Sequence, residues 1–366
     1  MDIRLENVLE YEQPTKYIVK SENYSDDFAL PVLTAGKSFV LGFTDETDGI
    51  CKASESPVII FDDFTADCKY VDFDFKVKSS AMKILHKANT EDNLKYYFYA
   101  MQAIDYTPFS HKRVWISEYS KFKIKSRSVA EQNNIVKELD TVATAIDNTK
   151  QRLNALNELV KSRFIEMFGD IRISSIFPNI ALENFAQIGS SKRVHAADYV
   201  ESGVPFYRSK EIIELGNGQE PSVELFISKK QYESIKKTNG VPCKGDILMS
   251  AVGTIGKMWI VDGRKDFYYK DGNIISIHSE ETNPIYLKEA LANLIDDFKS
   301  ANVAGSAYSA LTIVKLKKMT VPMPPMSIQN EFADFVKLID KSKFIVQKQI
   351  DDLQELLDSK MDEYFG

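Results

Sequence analysis

A long helical segment occurs twice in the sequence, at residues 132–169 and at residues 329–366, with corresponding positions 197 residues apart. Both copies begin with Gln-Asn and end with Glu-x-Phe-Gly. Their apolar residues recur at alternating steps of four and three, the heptad spacing of helices that pack along one seam. The seams run Ile135, Leu139, Val142, Ile146, Leu153, Leu156, Val160, Phe164 and Phe332, Val336, Ile339, Val346, Ile350, Leu353, Leu357, Met361. The halves agree in these helices and differ in the segments before them, which predicts two globules separated by a spacer.

Length, charge and cysteine content narrow the class of protein. The 366 residues, 44% of them hydrophobic, suffice for two domain cores. The 46 basic and 53 acidic residues give a net charge of −7, which excludes a uniformly basic surface but allows a local basic face. The three cysteines are widely spaced, as suits a reducing cytoplasm. No apolar run approaches the roughly 20 residues of a membrane span, and no signal peptide is recognisable, so we expect a cytoplasmic protein.

The pattern of turns, strands and helices predicts an α+β fold in four parts. A capping box at Ser128 and Glu131 opens the first long helix, and Gly169 stands where a C-terminal cap belongs. The predicted parts are a first globule at 1–127, a spacer helix at 128–169, a second globule at 170–326 and a second spacer helix at 327–366.

Short apolar or alternating runs inside the globules predict strands. In the first globule they are Val58–Phe61, Phe73–Val77, Arg113–Ile116 and Lys121–Ile124. In the second they are Asp246–Met249, Lys257–Val261, Asn273–Ile277 and a last strand region at Leu311–Val321. A short amphipathic helix is predicted at Asn93–Ile104, and a further helix is predicted at Pro284–Phe298.

One pattern suggests catalysis. Asp63, followed by Asp74-Phe-Lys76, resembles the way metal-dependent nucleases hold a divalent ion and orient water. In the competing interpretation, Asp74 and Lys76 form the outward face of an alternating strand and Asp63 lies at its turn. Such short matches arise easily in a chain with 53 acidic residues. A self-contained nuclease that uses Asp63, Asp74 and Lys76 is therefore kept only as an alternative.

Two further motifs favour structural roles. The segment from Asn283 to Tyr286 is similar to the Asn-Pro-Pro-Tyr loop of amino-methyltransferases, but it lacks the second proline and no S-adenosylmethionine motif precedes it. A helix start with proline in the first turn explains it better. The segment from Gly253 to Lys257 has two residues between its glycines, whereas a phosphate-binding loop needs four.

Basic and hydroxyl side chains cluster in several predicted loops of both globules. Phosphate contacts and base-edge recognition require Arg, Lys, Ser and backbone amides at turns. One such cluster is usually a solvated surface, whereas several in an otherwise acidic chain favour DNA binding. The clusters are Lys76–Ser80, Ser110–Arg113 with Lys121, Lys123, Lys125 and Arg127, Ser190–Arg193, and Tyr207–Lys210.

An ordered set of motifs extends through the whole chain. The second half contains Gly203-Val-Pro-Phe-Tyr-Arg-Ser, Gly245-Asp-Ile-Leu-Met-Ser-x-Val-Gly-Thr-Ile-Gly-Lys257, Gly305-Ser-Ala-Tyr and Val321-Pro-Met-Pro-Pro. The first half contains Pro31-Val-Leu-Thr-Ala-Gly-Lys37, Val58-Ile-Ile-Phe-Asp-Asp-Phe-Thr65, Lys78-Ser-Ser-Ala-Met82 and His111-Lys-Arg-Val-Trp115. With these motifs the chain resembles the DNA specificity subunit of type I restriction–modification systems. In one departure, Lys125-Ser-Arg-Ser128 replaces the proline-rich stop expected before the first helix.

The resemblance implies a recognition subunit without chemistry of its own. Two target-recognition domains would each read one half of a split DNA sequence. Two long antiparallel helices, packed as a coiled coil with pseudo-twofold symmetry, would set the distance between the halves. The implied partners are double-stranded DNA, two methyltransferase subunits and the restriction–motor subunits. S-adenosylmethionine is expected in the methyltransferase partner, and neither a metal nor a cofactor is expected in this chain.

Base readout is expected from loop side chains in the major groove. The candidates in the first globule are Lys78, Ser79, Ser80, Lys112 and Arg113. In the second they are Ser191, Lys192, Arg193, Arg208, Lys210, Thr254 and Lys257. Thr254 and Lys257 have a structural alternative, since their segment also suits a hairpin turn. A helical scaffold that binds no DNA remains a further alternative for the whole chain.

Overall fold

The computed structural model of the chain describes residues 2–35, 38–108, 113–170, 174–302 and 311–366. The chain divides into two compact units. The first unit holds residues 1–150 and 348–366, and the second holds residues 151–347. Within the described residues, no helix is long and apolar enough to cross a membrane.

The first unit contains a four-stranded sheet, a three-stranded sheet and a separate strand pair. Its strands are β1 (Asp2–Arg4), β2 (Leu9–Glu12), β3 (Leu30–Leu33), β4 (Val40–Thr44), β5 (Val58–Asp62), β6 (Cys68–Val71), β7 (Lys76–Val77), β8 (Met82–Lys87) and β9 (Lys123–Lys125). Its short helices are α1 (Leu94–Gln102) and α2 (Val114–Ser117). One sheet has the order β2-β8-β5-β6, a second has β4-β3-β7, and β1 pairs with β9.

Strand β5 lies inside the first sheet because both of its faces are apolar. Ile59 and Phe61 pack into an aromatic core that includes α1 and Trp115. Val58 and Ile60, which point to the opposite face, pack into a second apolar cluster. The predicted strand at Val58–Phe61 is confirmed, since the run is fully buried as a central strand requires.

The second unit contains two four-stranded sheets. Its strands are β10 (Gly169–Asp170), β11 (Ser174–Ser175), β12 (Asn179–Ala181), β13 (Gln187–Gly189), β14 (Tyr199–Val200), β15 (Val204–Tyr207), β16 (Phe226–Ile227), β17 (Ile247–Ser250), β18 (Met258–Ile260), β19 (Tyr268–Tyr269), β20 (Ile274–His278) and β21 (Thr320–Pro322). The sheet orders are β13-β20-β17-β18 and β14-β16-β15-β19, while β12 pairs with β21 and β10 with β11.

Two helices of 40 residues each extend from the globules. They are α3 (Val129–Phe168) and α8 (Met326–Phe365). The shorter helices of the second unit are α4 (Ser209–Gly216), α5 (Lys229–Thr238), α6 (Pro284–Asn302) and α7 (Ile313–Lys318). The predicted helices at Asn93–Ile104 and Pro284–Phe298 correspond to α1 and α6. Gly169 follows α3 with φ +84°, the left-handed conformation of a C-terminal cap.

The two long helices are antiparallel, as contacts inside each unit show. In the first unit Glu138 of α3 accepts hydrogen bonds from Lys360 and Tyr364 of α8, both at 2.7 Å. In the second unit Phe332 packs against Phe164 and Phe168, with ring centroids 5.6 and 5.3 Å apart. The start of α3 therefore meets the end of α8, and the end of α3 meets the start of α8.

The predicted seams line this packing. The buried members are Ile135, Leu139, Val142, Ile146, Val160, Phe164, Phe332, Val336, Ile339, Val346 and Ile350. The remaining members are half-buried. The heptad prediction is therefore confirmed for both helices.

Both globules contain the same supporting elements, although their sequences were predicted to differ. In the first unit β1 pairs with β9, and a 3-10 turn at Leu5–Asn7 follows β1. In the second unit β12 pairs with β21, and a 3-10 turn at Leu182–Asn184 follows β12. The two turns have the same sequence, Leu-Glu-Asn. We call the edge-strand pair, this turn and the helix that packs beside them the common frame.

In the first unit, an amide contact attaches the common frame to its long helix. The Asn93 backbone N–H donates to Gln132 Oε1 at 2.8 Å, and Asn93 Nδ2 donates to Asn133 Oδ1 at 2.8 Å. The Asn93 Oδ1 accepts the N–H of Lys95, which caps α1. The Tyr96 hydroxyl donates to the carbonyl of Lys125 at the end of β9. We call Asn93, Gln132 and Asn133 the first amide contact.

In the second unit, equivalent residues form the same hydrogen bonds as in the first amide contact. The Asn283 N–H donates to Gln329 Oε1 at 2.8 Å, and its Nδ2 donates to Asn330 Oδ1 at 2.8 Å. The Asn283 Oδ1 accepts the N–H of Ile285 and caps α6, while the Tyr286 hydroxyl donates to a carbonyl of β21. We call Asn283, Gln329 and Asn330 the second amide contact. The expectation that only the long helices repeat is therefore corrected, because the common frame repeats as well.

Four predicted strands were wrong in type or extent. One of them, Lys121–Ile124, starts in a 3-10 turn at Tyr119–Lys121, and β9 begins only at Lys123. Arg113–Ile116 was predicted as a strand, yet α2 forms there after Arg113 adopts φ +48°. Of Phe73–Val77 only the last two residues form β7, because Ser54 and Lys52 hold the Asp74 side chain outside the sheet. Leu311–Val321 contains helix α7, whose first turn is capped by Thr312, before β21 begins.

Candidate nucleic-acid interface

A cleft of about 500 Å³ opens in the second unit. One wall is the loop that follows β13, with Ser190, Ser191 and Lys192. The facing wall is the loop 239–243, which follows α5. Two of the predicted DNA-binding residues, Ser191 and Lys192, therefore lie at the edge of a concave polar surface.

Hydrogen bonds fix the first wall to the strands behind it. The Lys192 N–H donates to the Tyr268 hydroxyl at 2.7 Å, and the Ser190 hydroxyl accepts the N–H of Gly272 at 3.2 Å. The predicted Arg193 is mostly exposed, and its Nε lies 2.8 Å from Asp271 Oδ2. The Asp271 carboxylate raises the pKa of Arg193 above its usual value. The backbone of this loop is thus held in place while the Lys192 side chain is free to meet a ligand.

The base of the cleft contains a histidine and an aspartate that the sequence patterns did not single out. His278 Nδ1 lies 2.6 Å from Asp246 Oδ1, and the Cys243 N–H donates to Asp246 Oδ2 at 2.8 Å. Asp246 is buried. Its two carboxylate oxygens join Cys243 of the facing wall to His278 at the end of β20. This arrangement positions the loop rather than leaving a free carboxylate for catalysis.

The predicted Arg208 and Lys210 share one acidic partner. Arg208 Nη2 lies 2.9 Å from the buried Glu211 and 2.8 Å from Glu224. Lys210 Nζ lies 3.2 Å from the other oxygen of Glu224. The carboxylates of Glu211 and Glu224 raise the pKa of Arg208. Both cations are therefore neutralised within the chain, and Arg208 also supports the first turn of α4.

Thr254 and Lys257 lie in the hairpin between β17 and β18. Their side chains are exposed, whereas Ile255 between them is buried. Gly256 has φ +81°, and a Cβ atom there would lie 2.5 Å from Ile295. The hairpin interpretation is therefore confirmed, although the turn still presents two of the predicted side chains to solvent.

In the first unit, Lys78, Ser79 and Ser80 connect β7 to β8. Lys78 pairs with Glu22 and lies 5.8 Å from the Tyr24 ring centre. The two serines are exposed. These positions are compatible with a loop that meets DNA.

Arg113 is exposed and immediately precedes α2. The buried Asp63 carboxylate accepts the N–H of Trp115 at 2.9 Å and lies 3.0 Å from Lys83 Nζ. Asp63 thus positions the turn that presents Arg113. The predicted Lys112 lies outside the described residues, as does the Gly305–Tyr308 motif.

The three residues of the nuclease alternative have separate partners. Asp63 binds Lys83, Asp74 lies 2.7 Å from Lys52, and Lys76 lies 2.8 Å from Glu46. Lys76 is only 1% exposed, so its predicted place on the outward face of a strand was wrong. Within the described part of the chain, no cluster of three histidine, cysteine or acidic side chains could hold a metal ion.

The Asn283–Tyr286 segment is structural, as its helix-start interpretation predicted. Asn283 caps α6 and belongs to the second amide contact. Tyr286 is fully buried and packs against Phe168. Neither side chain is available to hold a target base.

Comparisons with known proteins agree with this geometry. The model of the family described as type I restriction modification DNA specificity domain matches residues 177–355. The specificity subunit of the EcoR124I/EcoR124II type I restriction enzyme of Escherichia coli is 47% identical over 162 residues, or 41% of this chain. That match spans 40% of the E. coli subunit.

Two further similarities extend over more of the chain. A putative type I restriction enzyme specificity subunit of Haemophilus influenzae is 24% identical over 298 residues, 78% of this chain and 74% of that protein. The crystal structure of the type I restriction–modification S subunit from M. genitalium aligns with all of this chain and 96% of its own, with a TM-score of 0.55 and 15% identity. This structural likeness supports the fold, with long helices and globules that mix strands and helices. Residues 177–355 of this chain thus match the type I restriction modification DNA specificity domain, and the similar proteins are specificity subunits of type I restriction enzymes.

Proposed function

We propose that the chain reads a two-part DNA target, with one globule for each half-site. The observation that carries this proposal is the common frame, which occurs in both units with the same amide contact. Between the parts of the frame, each unit has its own sheets and loops. Two globules that are attached to the long helices in the same way but have different loops suit a target whose two halves differ in sequence.

The long helices suit a spacer between two half-sites. A helix of 40 residues is roughly 60 Å long. Half-sites on one face of the duplex are about 34–36 Å apart for each helical turn of DNA. Because the helices are continuous and packed on each other, they would keep the distance between half-sites constant. The domain limits 1–127, 128–169, 170–326 and 327–366 are part of this proposal.

The proposal assigns no reaction to this chain. The predicted nuclease residues are used in separate ion pairs, and the methyltransferase-like segment belongs to the common frame. Methyl transfer to adenine would be performed by two methyltransferase subunits that bind S-adenosylmethionine, and the restriction–motor subunits would join through them. The specificity subunit would supply recognition and assembly, and the catalytic groups would belong to its partners.

Repeated apolar residues on the long helices support docking of two identical partners. Leu159 and Leu356 occupy corresponding positions of the two copies, and their side chains are 46% and 45% exposed. An exposed leucine alone is common on protein surfaces. Two at equivalent places of a repeat offer one equivalent contact to each of two copies of the same methyltransferase subunit.

Sequencing of methylated adenines in cells that express this chain with its methyltransferase partner tests the proposed reading. We expect one target with two defined parts and a constant number of undefined bases between them. A single uninterrupted target contradicts the two-reader model. The scaffold alternative predicts no sequence-selective methylation that depends on this chain.

A further inference from the structure

Helix α5 presents a row of lysines that the motif analysis did not select. Lys229, Lys230, Lys236 and Lys237 are all exposed. On a helix, residues seven apart lie on the same face, which groups these four side chains on one side. Tyr232 and Ile235, on the other side, are buried in the core of the second unit. We call these four exposed residues the lysine face of α5. Lys236 Nζ also lies 5.8 Å from the centre of the Tyr232 ring.

The lysine face differs in its charge balance from several other basic groups of the second unit. Among the described residues, no carboxylate forms an ion pair with any of these four lysines, although Glu233 lies on the same face. The cations that are neutralised by acidic partners include Arg193, Arg208, Lys210, Arg264, Lys265 and Lys288. The lysine face thus has net positive charge, even though the whole chain is acidic.

Helix stability does not account for all of these lysines. Cations near a helix C-terminus interact favourably with its dipole, which explains Lys236 and Lys237 in the last turn. Lys229 and Lys230 occupy the first turn, where the same dipole disfavours positive charge. Ser228 caps that turn by accepting the N–H of Gln231 at 3.2 Å. A ligand with negative charge would explain why the first turn is basic.

The position of α5 connects the lysine face to the candidate interface. The loop 239–243 begins directly after α5 and forms one wall of the cleft. Lys192, on the facing wall, is also exposed. Positive charge is therefore present on one wall, at Lys192, and on the helix that leads into the other wall.

We propose that the lysine face of α5 binds the phosphate backbone of double-stranded DNA. Ammonium groups act as point charges that bind phosphate without reading sequence. Each lysine that neutralises a phosphate releases a condensed counterion, so the lysine face adds affinity and salt dependence but not specificity. This inference rests on the proposed function and goes beyond it, because it assigns the phosphate-binding element of the second globule.

The test is the salt dependence of DNA binding by the full chain assembled with its methyltransferase partner. Binding to a duplex of arbitrary sequence is followed by fluorescence anisotropy at a series of KCl concentrations. The variant replaces all four residues, Lys229→Gln, Lys230→Gln, Lys236→Gln and Lys237→Gln. Each phosphate contact contributes about 0.9 to the slope of log K against log salt. We expect the slope to become shallower by about 3 to 4, and the sequence of methylated sites to stay the same.

A charge-matched control removes four lysines that already have acidic partners in the first unit. These are Lys16→Gln, Lys20→Gln, Lys52→Gln and Lys69→Gln. The control changes the net charge equally, and we expect its slope to differ little from wild type. Two double variants, Lys229→Gln with Lys230→Gln and Lys236→Gln with Lys237→Gln, should each give about half of the effect. Replacement of all four by arginine should restore the slope.

The outcomes separate the two proposals. A slope that is unchanged in the quadruple variant, or changed as much in the control, overturns the assignment of α5 and leaves DNA recognition intact. A changed methylation sequence also overturns it, because the lysines would then read bases. If the wild-type complex binds no DNA, the proposed function fails and the inference fails with it. Circular dichroism of each variant verifies that the exposed substitutions leave the fold intact.

Discussion

Some exposed apolar residues occur at equivalent positions of both long helices, whereas others occur in only one of them. Leu159 and Leu356 are exposed in both copies of the repeat. Leu338, Phe344 and Ile345 are also exposed, but they occur in α8 alone. Their counterparts in α3 are polar, at Thr141, Asp147 and Asn148. If two identical partner subunits bind the long helices, as proposed, we expect the contacts that they share to lie at Leu159 and Leu356.

Substitution of the shared leucines tests this division. We expect Leu159→Gln and Leu356→Gln each to weaken binding of one methyltransferase copy, and the double variant to weaken both. Burying a leucine contributes about 1.5–3 kcal/mol, which corresponds to roughly 10- to 150-fold in Kd. Light scattering coupled to size exclusion gives the mass of each complex. Val314→Gln, at an exposed position of α7, is the control. Full two-copy binding by the double variant contradicts the assignment.

Sequence patterns do not locate buried ion pairs. Two such pairs occur in the first unit. Lys76 and Lys83 are buried beside Glu46 and Asp63. Each lysine and its carboxylate partner are 20 or more residues apart in the sequence, so no local pattern indicates these pairs. Asp63 looked like a metal ligand in the sequence, whereas its carboxylate holds the turn before Trp115.

At the scale of elements, the two amide contacts attach each globule to its long helix. Gln132 and Gln329 are almost fully buried. Gln132 accepts the N–H of Asn93 and donates to the carbonyl of Arg127. Gln329 makes the matching contacts with Asn283 and Pro324. Each glutamine thus joins the start of a globule helix to the start of a long helix.

Gln132→Leu and Gln329→Leu form a matched pair that tests this role. Each substitution removes the partner of a backbone N–H and of a backbone carbonyl that are buried or part-buried, and loss of a partner costs up to about 1–3 kcal/mol for a buried group. We expect faster hydrogen exchange in α1 for Gln132→Leu and in α6 for Gln329→Leu, each with little effect on the other helix. Equal loss of protection in both helices would show that the contact is not local to its unit.

The long elements were predictable and the short ones were not. Heptad spacing repeats over many turns in α3 and α8, so single exceptions do not obscure it. Arg113–Ile116 has only four residues, and the contact of Trp115 with Asp63 outweighs its strand pattern. The common frame could have been found from the repeated Leu-Glu-Asn turns and the repeated Asn-x-x-Tyr at α1 and α6. The cleft required the fold itself, because its walls come from loops distant in sequence.

At the scale of the whole molecule, the common frame occurs twice, whereas the sheets and loops that it carries differ between the two units. The common frame is held by the same bonds in each unit, while the sheets and loops between its parts are different. A globule is then exchangeable if its ends match the frame. If each globule reads one half-site, as proposed, we expect exchange of one globule to change the specificity for that half-site alone.

Exchange of residues 170–326 for the corresponding segment of another family member, followed by sequencing of methylated adenines, tests the central claim most directly. We expect one half of the target to take the donor's sequence, while the other half and the number of undefined bases between them stay the same. A change in both halves, or no change in either, contradicts the account of two independent readers held at a constant distance.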